Sequence, residues 1–368
     1  AYSCSGGSAD NYSFPGTAKT GTVVISQAVL TITPDSKSIA YGTTKPADSY
    51  YTFSVTGFKN SQSASTAASY VAPVCTAADY SNTRNAGTAT SITCSGGSAT
   101  NYSFTTTATS SLTITKLSTL TITATNQSAN YGASISALYS ATAGFSTSGI
   151  STGVINALSY SYAGTSGTTY GPDTNPPSAP GTYSVTPRCP SAGGTIGFSP
   201  GSIDNYTTVT CTAGTLTINL ATLTILAKNA TVSYGTEIGD SAFGITVNGL
   251  QGNDSITAVS KYYYQGAGAT SYAKSSIPPK SVGTYIVIPE GAQFNSGSSS
   301  NYRSITYETG ILIIEKATLV VTPTTVNLFY NDAAPNSYEF QLSGYKWGES
   351  GTSISGYMAP ACTSNYVK

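Results

Sequence analysis

Residues 30–42 read Leu-Thr-Ile-Thr-Pro-Asp-Ser-Lys-Ser-Ile-Ala-Tyr-Gly, a β-forming run that reaches Tyr41-Gly42 eleven positions after Leu30. The pattern returns as Leu120-Thr121-Ile122-Thr123 with Tyr131-Gly132, as Leu223-Thr224-Ile225 with Tyr234-Gly235, and as Leu319-Val320-Val321 with Tyr330-Asn331. Downstream of each tyrosine stands a glycine with a large apolar partner: Gly57-Phe58, Gly144-Phe145, Gly249-Leu250 and Gly344-Tyr345. Gly-Thr then opens a strand at Gly87, Gly181 and Gly283, and an Asn-Tyr pair follows at Asn11, Asn101, Asn205 and Asn301. The leading leucines stand 90, 103 and 96 residues apart, so one supersecondary unit is repeated along the chain.

Apolar residues alternate with threonine or serine in most of these segments, as in Thr284-Tyr285-Ile286-Val287. Period-two alternation of β-branched residues describes strands buried on one face. Helical patterning is nearly absent, with at best one short turn after the Gly-aromatic element, around Asn253-Asp254-Ser255. The expected fold is mostly β: a tandem array of small modules of about six strands, with an immunoglobulin-like sandwich favoured. The alternative is a β-grasp-like sheet with one short helix per module. The repeat phase divides the chain into the C-terminal part of a repeat (1–28), three full repeats (29–117, 118–221, 222–316) and the N-terminal part of another (317–368). Leu216 and Leu223, like Leu312 and Leu319, are seven residues apart, which leaves no room for a flexible linker. A semi-rigid rod follows. The absence of an initiator methionine or signal pattern marks a mature piece or a window of a longer chain. The two terminal fragments belong either to a longer array or to a filament subunit, in which the head of one chain completes the tail of the next.

Composition narrows the function. The 368 residues include 15 basic, 15 acidic and no histidine residues, and only 8% are charged. Without imidazole there is no Ser-His-Asp or Cys-His nucleophile pair, no histidine metal ligand and no histidine pH switch. Sparse, balanced charge gives no electrostatic footprint for nucleic acid or an anionic membrane. No run approaches the length of a membrane helix. Serine and threonine together number 113, a surface of uncharged β-formers on which O-glycans are the functional alternative.

Six cysteines without a Cys-x-x-Cys argue for disulfides in an oxidising compartment rather than for zinc. The repeats suggest the pairing: Tyr70 to Cys75 matches Tyr357 to Cys362, and Ser3 to Gly7 matches Thr93 to Gly97. Cys75 is therefore expected to bond Cys94, and Cys189 to bond Cys211. Cys4 and Cys362 then need partners outside the chain or in a neighbouring subunit.

Taken in order, the Leu-Thr-Ile-Thr strand, Tyr-Gly, Gly-Phe, Gly-Thr-Tyr, Asn-Tyr and the closing Gly214-Thr215-Leu216-Thr217-Ile218 resemble the MBG-type repeat, Tyr-Gly form, of long bacterial surface proteins. The resemblance covers the whole chain and implies an extracellular adhesin or stalk at the cell surface. It brings no catalytic or ligand-binding motif. Two departures stand out: the cysteine pairs, and Tyr330-Asn331 in place of Tyr-Gly.

Residues with chemical potential have bland counterparts here. Asp10, Asp204, Asp254 and Glu290 offer loop oxygens for calcium, but no Asp-x-Asp-x-Asp-Gly loop exists and solvated carboxylates are the simpler reading. Tyr262-Tyr263-Tyr264 and Trp347 offer sugar-stacking faces, whereas neighbouring strand tyrosines point to opposite sides and pack across strands. Tyr41, Tyr131, Tyr234 and Tyr330 recur at one position, which favours a structural core or turn role. Of six Asn-x-Ser/Thr sequons, Asn11, Asn101 and Asn205 fall in the repeat's own Asn-Tyr motif, leaving Asn126, Asn229 and Asn253 as glycosylation candidates. The reading is a non-enzymatic, cofactor-free shaft or fibre. Its partners are neighbouring repeats or identical subunits, with glycans as the alternative ligand; nucleic acid and membrane insertion are not expected.

Overall fold

The structure is a computed structural model that describes residues 1–106 and 109–367. The chain divides into two compact units. One comprises Ala1–Gln127, Ile135–Pro177 and Thr182–Leu216; the other comprises Ser128–Ser134, Ser178–Gly181 and Thr217–Lys368.

The first unit opens with strands β1 (Tyr2–Cys4) and β2 (Lys19–Gly21), which pair antiparallel. The first full repeat follows with β3 (Ala28–Pro34), β4 (Lys37–Ala40), β5 (Phe53–Thr56), β6 (Val74–Thr76), β7 (Ala89–Ser95), β8 (Tyr102–Thr106) and β9 (Ser110–Thr115). Leu30 and Ile32 of β3 turn inward and are buried, while Thr31 and Thr33 face outward, so the sequence alternation becomes the two faces of a strand. The order β5-β3-β8 makes a three-stranded sheet and β4-β9-β7-β6 a four-stranded one. β3 runs parallel to β8, and β4 parallel to β9; the remaining pairs are antiparallel. Ile32 from the first sheet meets Ile92, Leu112 and Ile114 from the second in one core. Full burial of each such side chain stabilises by roughly 1.5–3 kcal/mol.

The second repeat repeats the plan with β10 (Leu117–Ala124), β11 (Gln127–Asn130), β12 (Phe145–Ser148), β13 (Val154–Ala157), β14 (Tyr160–Thr165), β15 (Gly181–Pro187), β16 (Gly197–Ser199), β17 (Tyr206–Thr212) and β18 (Gly214–Asn219). Its sheets are β12-β10-β17 and β11-β18-β15-β14, with an added β13-β16 ribbon.

The second unit carries the third repeat: β19 (Ala221–Ala227), β20 (Ala230–Ser233), β21 (Ile245–Asn248), β22 (Ser255–Gly266), β23 (Gly283–Ser296), β24 (Tyr302–Glu308) and β25 (Gly310–Glu315). The sheets are again β21-β19-β24 and β20-β25-β23-β22. Leu223 and Ile225 pack with Tyr285, Val287, Leu312 and Ile314 in its core. β26 (Val320–Pro323) and β27 (Phe340–Ser343) form an antiparallel pair in the terminal partial repeat.

Two sheets sharing one core make an immunoglobulin-like sandwich, not a β-grasp sheet on a helix. Each full repeat has a seven-strand framework rather than about six strands, because the opening run breaks into two strands, one in each sheet. Only Lys116 separates β9 from β10, and only Leu220 separates β18 from β19, in keeping with joints too short for a linker.

Two details of the sequence reading change. The helical turns, at Asp48–Tyr50, Ile135–Leu138 and Asp240–Ala242, precede the Gly-aromatic element instead of following it; residues 252–253 make an ordinary turn. Gly144-Phe145 is also not the counterpart of Gly57-Phe58. Gly57, Gly149, Gly249 and Gly344 each end a strand at φ 105, 81, 93 and 99°. A Cβ there would run into the carbonyl oxygen of the residue just before the leading leucine: Val29, Thr119, Thr222 or Thr318. The equivalent pair is therefore Gly149-Ile150. Extra residues between Tyr139 and Phe145, closed by the Ser140–Ala143 bridge, moved it along the sequence.

The disulfides are Cys75–Cys94 and Cys189–Cys211. They are not equivalent. Cys75 lies opposite Cys94 across the β6–β7 ladder, inside one sheet. Cys189 follows β15 and reaches Cys211 on β17, so the second bond ties the two sheets of its repeat together.

Candidate functional site

The Tyr-Gly motif builds the junction between consecutive repeats. Within the first unit, the Tyr41 ring meets Tyr206 edge-on at 6.2 Å, and its hydroxyl donates to the Pro200 carbonyl at 3.4 Å. The Asn205 side chain also hydrogen-bonds Tyr41. Asn205 is 1% exposed; its Oδ1 accepts from the Ala86 N–H at 2.8 Å, and its Nδ2 donates to Asn85 Oδ1 at 3.1 Å. The asparagine of one repeat thus satisfies loop groups of the repeat before it, as a buried amide must.

Within the second unit the same geometry recurs with a carboxylate. Tyr131 meets Tyr302 edge-on at 5.8 Å, and its hydroxyl lies 3.1 Å from both oxygens of Asp254. Tyr302 donates to Asp254 Oδ2 at 2.7 Å. Burial, with Asp254 as the next cause, pushes the Tyr302 hydroxyl up to about 12, and the same two causes raise Tyr131. At the following junction Tyr234 donates to Glu349 Oε1 at 2.7 Å.

Position numbers turn these contacts into a rule. Asp254 and Glu349 each stand five residues after the strand-ending glycine, Gly249 and Gly344. In the second repeat that place is Val154, whose side chain has no acceptor, and Tyr41 turns to the Pro200 carbonyl instead. Two residues after the glycine stand Ser151, Gln251 and Lys346, and a Cβ on Gly42, Gly132 or Gly235 would overlap their side chains. These glycines hold φ 79, 90 and 92°. Close approach and left-handed backbone both require glycine there. The backbone N–H of the same second residue donates to the Asn-Tyr hydroxyl in every full repeat: Lys59 to Tyr102 at 3.1 Å, Ser151 to Tyr206 at 3.3 Å and Gln251 to Tyr302 at 3.2 Å. Tyr41 is thus both a junction residue and a core residue of its own sandwich, buried with Ile39 and Ile114; Tyr131 packs against the core of the following repeat, Tyr234 borders the core of its own, and Tyr330 is fully exposed.

The remaining candidates disperse. Asp204 takes part in a turn with Ser202, Glu290 lies 3.9 Å from Lys261, and Asp10 is exposed. No cluster of three or more metal-ligating acidic or cysteine side chains occurs among the described residues. Tyr262 and Tyr264 are buried against Phe243, whereas Tyr263 faces outward between Lys261 and Lys274 at 5.0 and 4.7 Å. Trp347 lies under Lys280 at 4.8 Å. Asn126, Asn229 and Asn253 are exposed; Asn126 and Asn229 accept from the Thr215 and Ile311 N–H groups through Oδ1, both at 2.8 Å. Cys4 is exposed, Cys362 half-buried, and both are free thiols. No helix among the described residues is long and apolar enough to cross a membrane.

Residues 30–113 match the family model of the MBG domain (YGX type). No curated protein matches the chain. Among solved structures it is similar to the N-terminal eight Ig domains of Down Syndrome Cell Adhesion Molecule isoform 1.30.30, at 11% identity and TM-score 0.20, over 64% of this chain and 34% of that one. It is also similar to the N-terminal four Ig domains of Dscam1 isoform 4.44, at 11% identity and TM-score 0.20, over 62% and 55% of the two chains. The chain thus spans about a third and just over half of those structures. At these scores the fold rests on the observed sheet order, not on the likeness.

Proposed function

We propose that this chain is an extracellular structural segment of a bacterial surface protein, a stalk or adhesin shaft. In this reading 29–117, 118–221 and 222–316 are modules in series, flanked by the partial modules 1–28 and 317–368. The observation that carries it is the junction. At three successive positions the recurring tyrosine is spent on the next repeat rather than presented to solvent, and the glycine beside it permits the close fit. Two disulfides fit an oxidising, extracellular location. A multivalent glycan binder needs an exposed aromatic cluster repeated in each module. The half-buried Tyr263 and the exposed Trp347 have no aromatic counterparts in the other modules, where Ser161 stands in place of Tyr263 and Asn60, Thr152 and Gly252 in place of Trp347. Small-angle scattering on the intact chain tests the shaft. Tyr131→Ala combined with Tyr234→Ala should loosen two junctions and broaden the distance distribution while circular dichroism stays β; an unchanged curve would sink the reading.

A second reading, self-assembly into a filament, draws on the apolar residues left exposed in both partial repeats: Val24, Ile25, Phe329 and Met358 are each about four-fifths exposed or more. Chains joined this way bring Cys362 to Cys4. With oxidised glutathione as oxidant, the two thiols lose two electrons and two protons to form the bond. Non-reducing peptide mapping would find that linkage.

A further inference from the structure

The leading end of the first full repeat holds one half of a junction. Lys59 N–H donates to Tyr102 Oη at 3.1 Å, and Tyr102 Oη donates to Gln62 Oε1. Gln62 stands five residues after Gly57, as Asp254 stands five after Gly249. The third repeat has the same set, Gln251 N–H to Tyr302 Oη and Tyr302 Oη to Asp254, and there Tyr131 is seated on it. The matching cleft beside Tyr102, about 430 Å³ and bordered by Ile25, Gln27, Lys59 and Asn101, is open. Its counterpart beside Gln251 is walled by Tyr131 and Gly132.

The residues leading into that cleft are open as well. Val23 and Ile25 are 57% and 91% exposed, yet they precede Leu30 as Leu312 and Ile314, 0% and 3% exposed, precede Leu319. In the third repeat those two residues are buried in the core, and β20 runs parallel to their strand, β25, ending just before Tyr234. The chain carries an unpaired counterpart of β20. Val326, Leu328 and Phe329 are exposed, Tyr330 is fully exposed, and Asn331 already holds φ 72°, close to the junction glycines.

We propose that residues 326–331 of one chain dock on a second copy, with Tyr330 seated on its Tyr102 and Gln62. This rests on the self-assembly reading and gives it a register. Pairing Ala230 with Leu312 and Ser233 with Glu315 translates to Val326 beside Val23 and Phe329 beside Ser26. The Tyr330 N–H then donates to the Ser26 carbonyl, as Tyr41, Tyr131 and Tyr234 donate to Thr115, Asn219 and Glu315 at 2.8–2.9 Å. The occupant is a second copy because at three junctions of this chain a Tyr-Gly turn already meets the segment after the next repeat's strand-ending glycine, and because the exposed apolar positions on 23–25 and 326–329 complement each other in that register. Asn331 meets Lys59 where the other junctions place glycine against Ser151, Gln251 or Lys346. Those contacts involve side-chain atoms, so Lys59 can swing clear at some cost. The two surfaces differ, so the association is head-to-tail and open-ended.

Sedimentation velocity of the intact chain with thiols kept reduced, across a wide concentration range, tests this. The wild type should associate reversibly. Tyr330→Ala, at a fully exposed site that leaves the fold intact, should weaken association ~10–30-fold, as removal of a central anchor does; Asn331→Gly should tighten it. A wild type that stays monomeric at every concentration overturns both this docking and the assembly reading. Association that is equally strong in wild type, Tyr330→Ala and Asn331→Gly overturns this docking alone and moves assembly to another face.

Discussion

At the scale of the residue, the junction shows how one polar group decides which contact wins. Asp254 accepts from Tyr131 and Tyr302 at once, so truncating it strands two half-buried hydroxyls. Leaving such donors unpaired costs about 1–3 kcal/mol. Asp254→Ala should therefore lower the urea midpoint of the second unit by about that free energy. Asp254→Asn, which keeps one acceptor oxygen, should lose less. Equal losses in the two variants would mean that charge, not acceptor number, holds the junction. Of this site the four tyrosines were legible because they recur at a fixed distance from a leucine. Their partners were not, because Gln62, Val154, Asp254 and Glu349 share only a place five residues after a glycine, not a chemistry.

At the scale of the element, strands were legible wherever apolar residues alternated with threonine. Leu216-Thr217-Ile218 and Leu223-Thr224-Ile225 both turn their apolar side chains into a core. The Gly144-Phe145 element misleads because extra residues after Tyr139 slide the true counterpart, Gly149, along the sequence. Only the carbonyl of Thr119 at its back identifies it. The cysteine pairs were readable from repeat matching, but not that one lies within a sheet and the other between sheets. The Cys75–Cys94 bond closes a sequence separation of 19 residues. Loop entropy for that length is worth about 3 kcal/mol. Replacing both cysteines by serine should lower the stability of the first unit by about that amount in guanidinium titration, with the fold retained by circular dichroism.

At the scale of the whole molecule, tyrosine replaces charge as the main titratable group. Burial pushes Tyr139, Tyr162 and Tyr264 up to about 12, as it does Tyr302 with help from Asp254. Their ordinary value is about 10. A folded-state value above the unfolded one means that the native state holds the proton more tightly. The contribution is complete below about pH 10 and is lost as pH rises toward 12. Stability measured by thermal melts should be flat through neutral and mildly alkaline pH and then fall steeply across that window. The fall should coincide with phenolate absorbance. Phenolate appearing well before any loss of stability would mean that the titrating tyrosines are the exposed ones.

The sequence by itself determined the repeat, its β class, the tight joints and the cysteine pairing, because alternation, spacing and motif order are properties of one dimension. Tertiary structure alone decided which partner the recurring tyrosine's hydroxyl takes. Its hydroxyl partner lies about 120 residues away at two junctions and about 160 at the first. Which group of the neighbour receives a tyrosine hydroxyl depends on where strand ends from different repeats meet in space, and no local pattern carries that information.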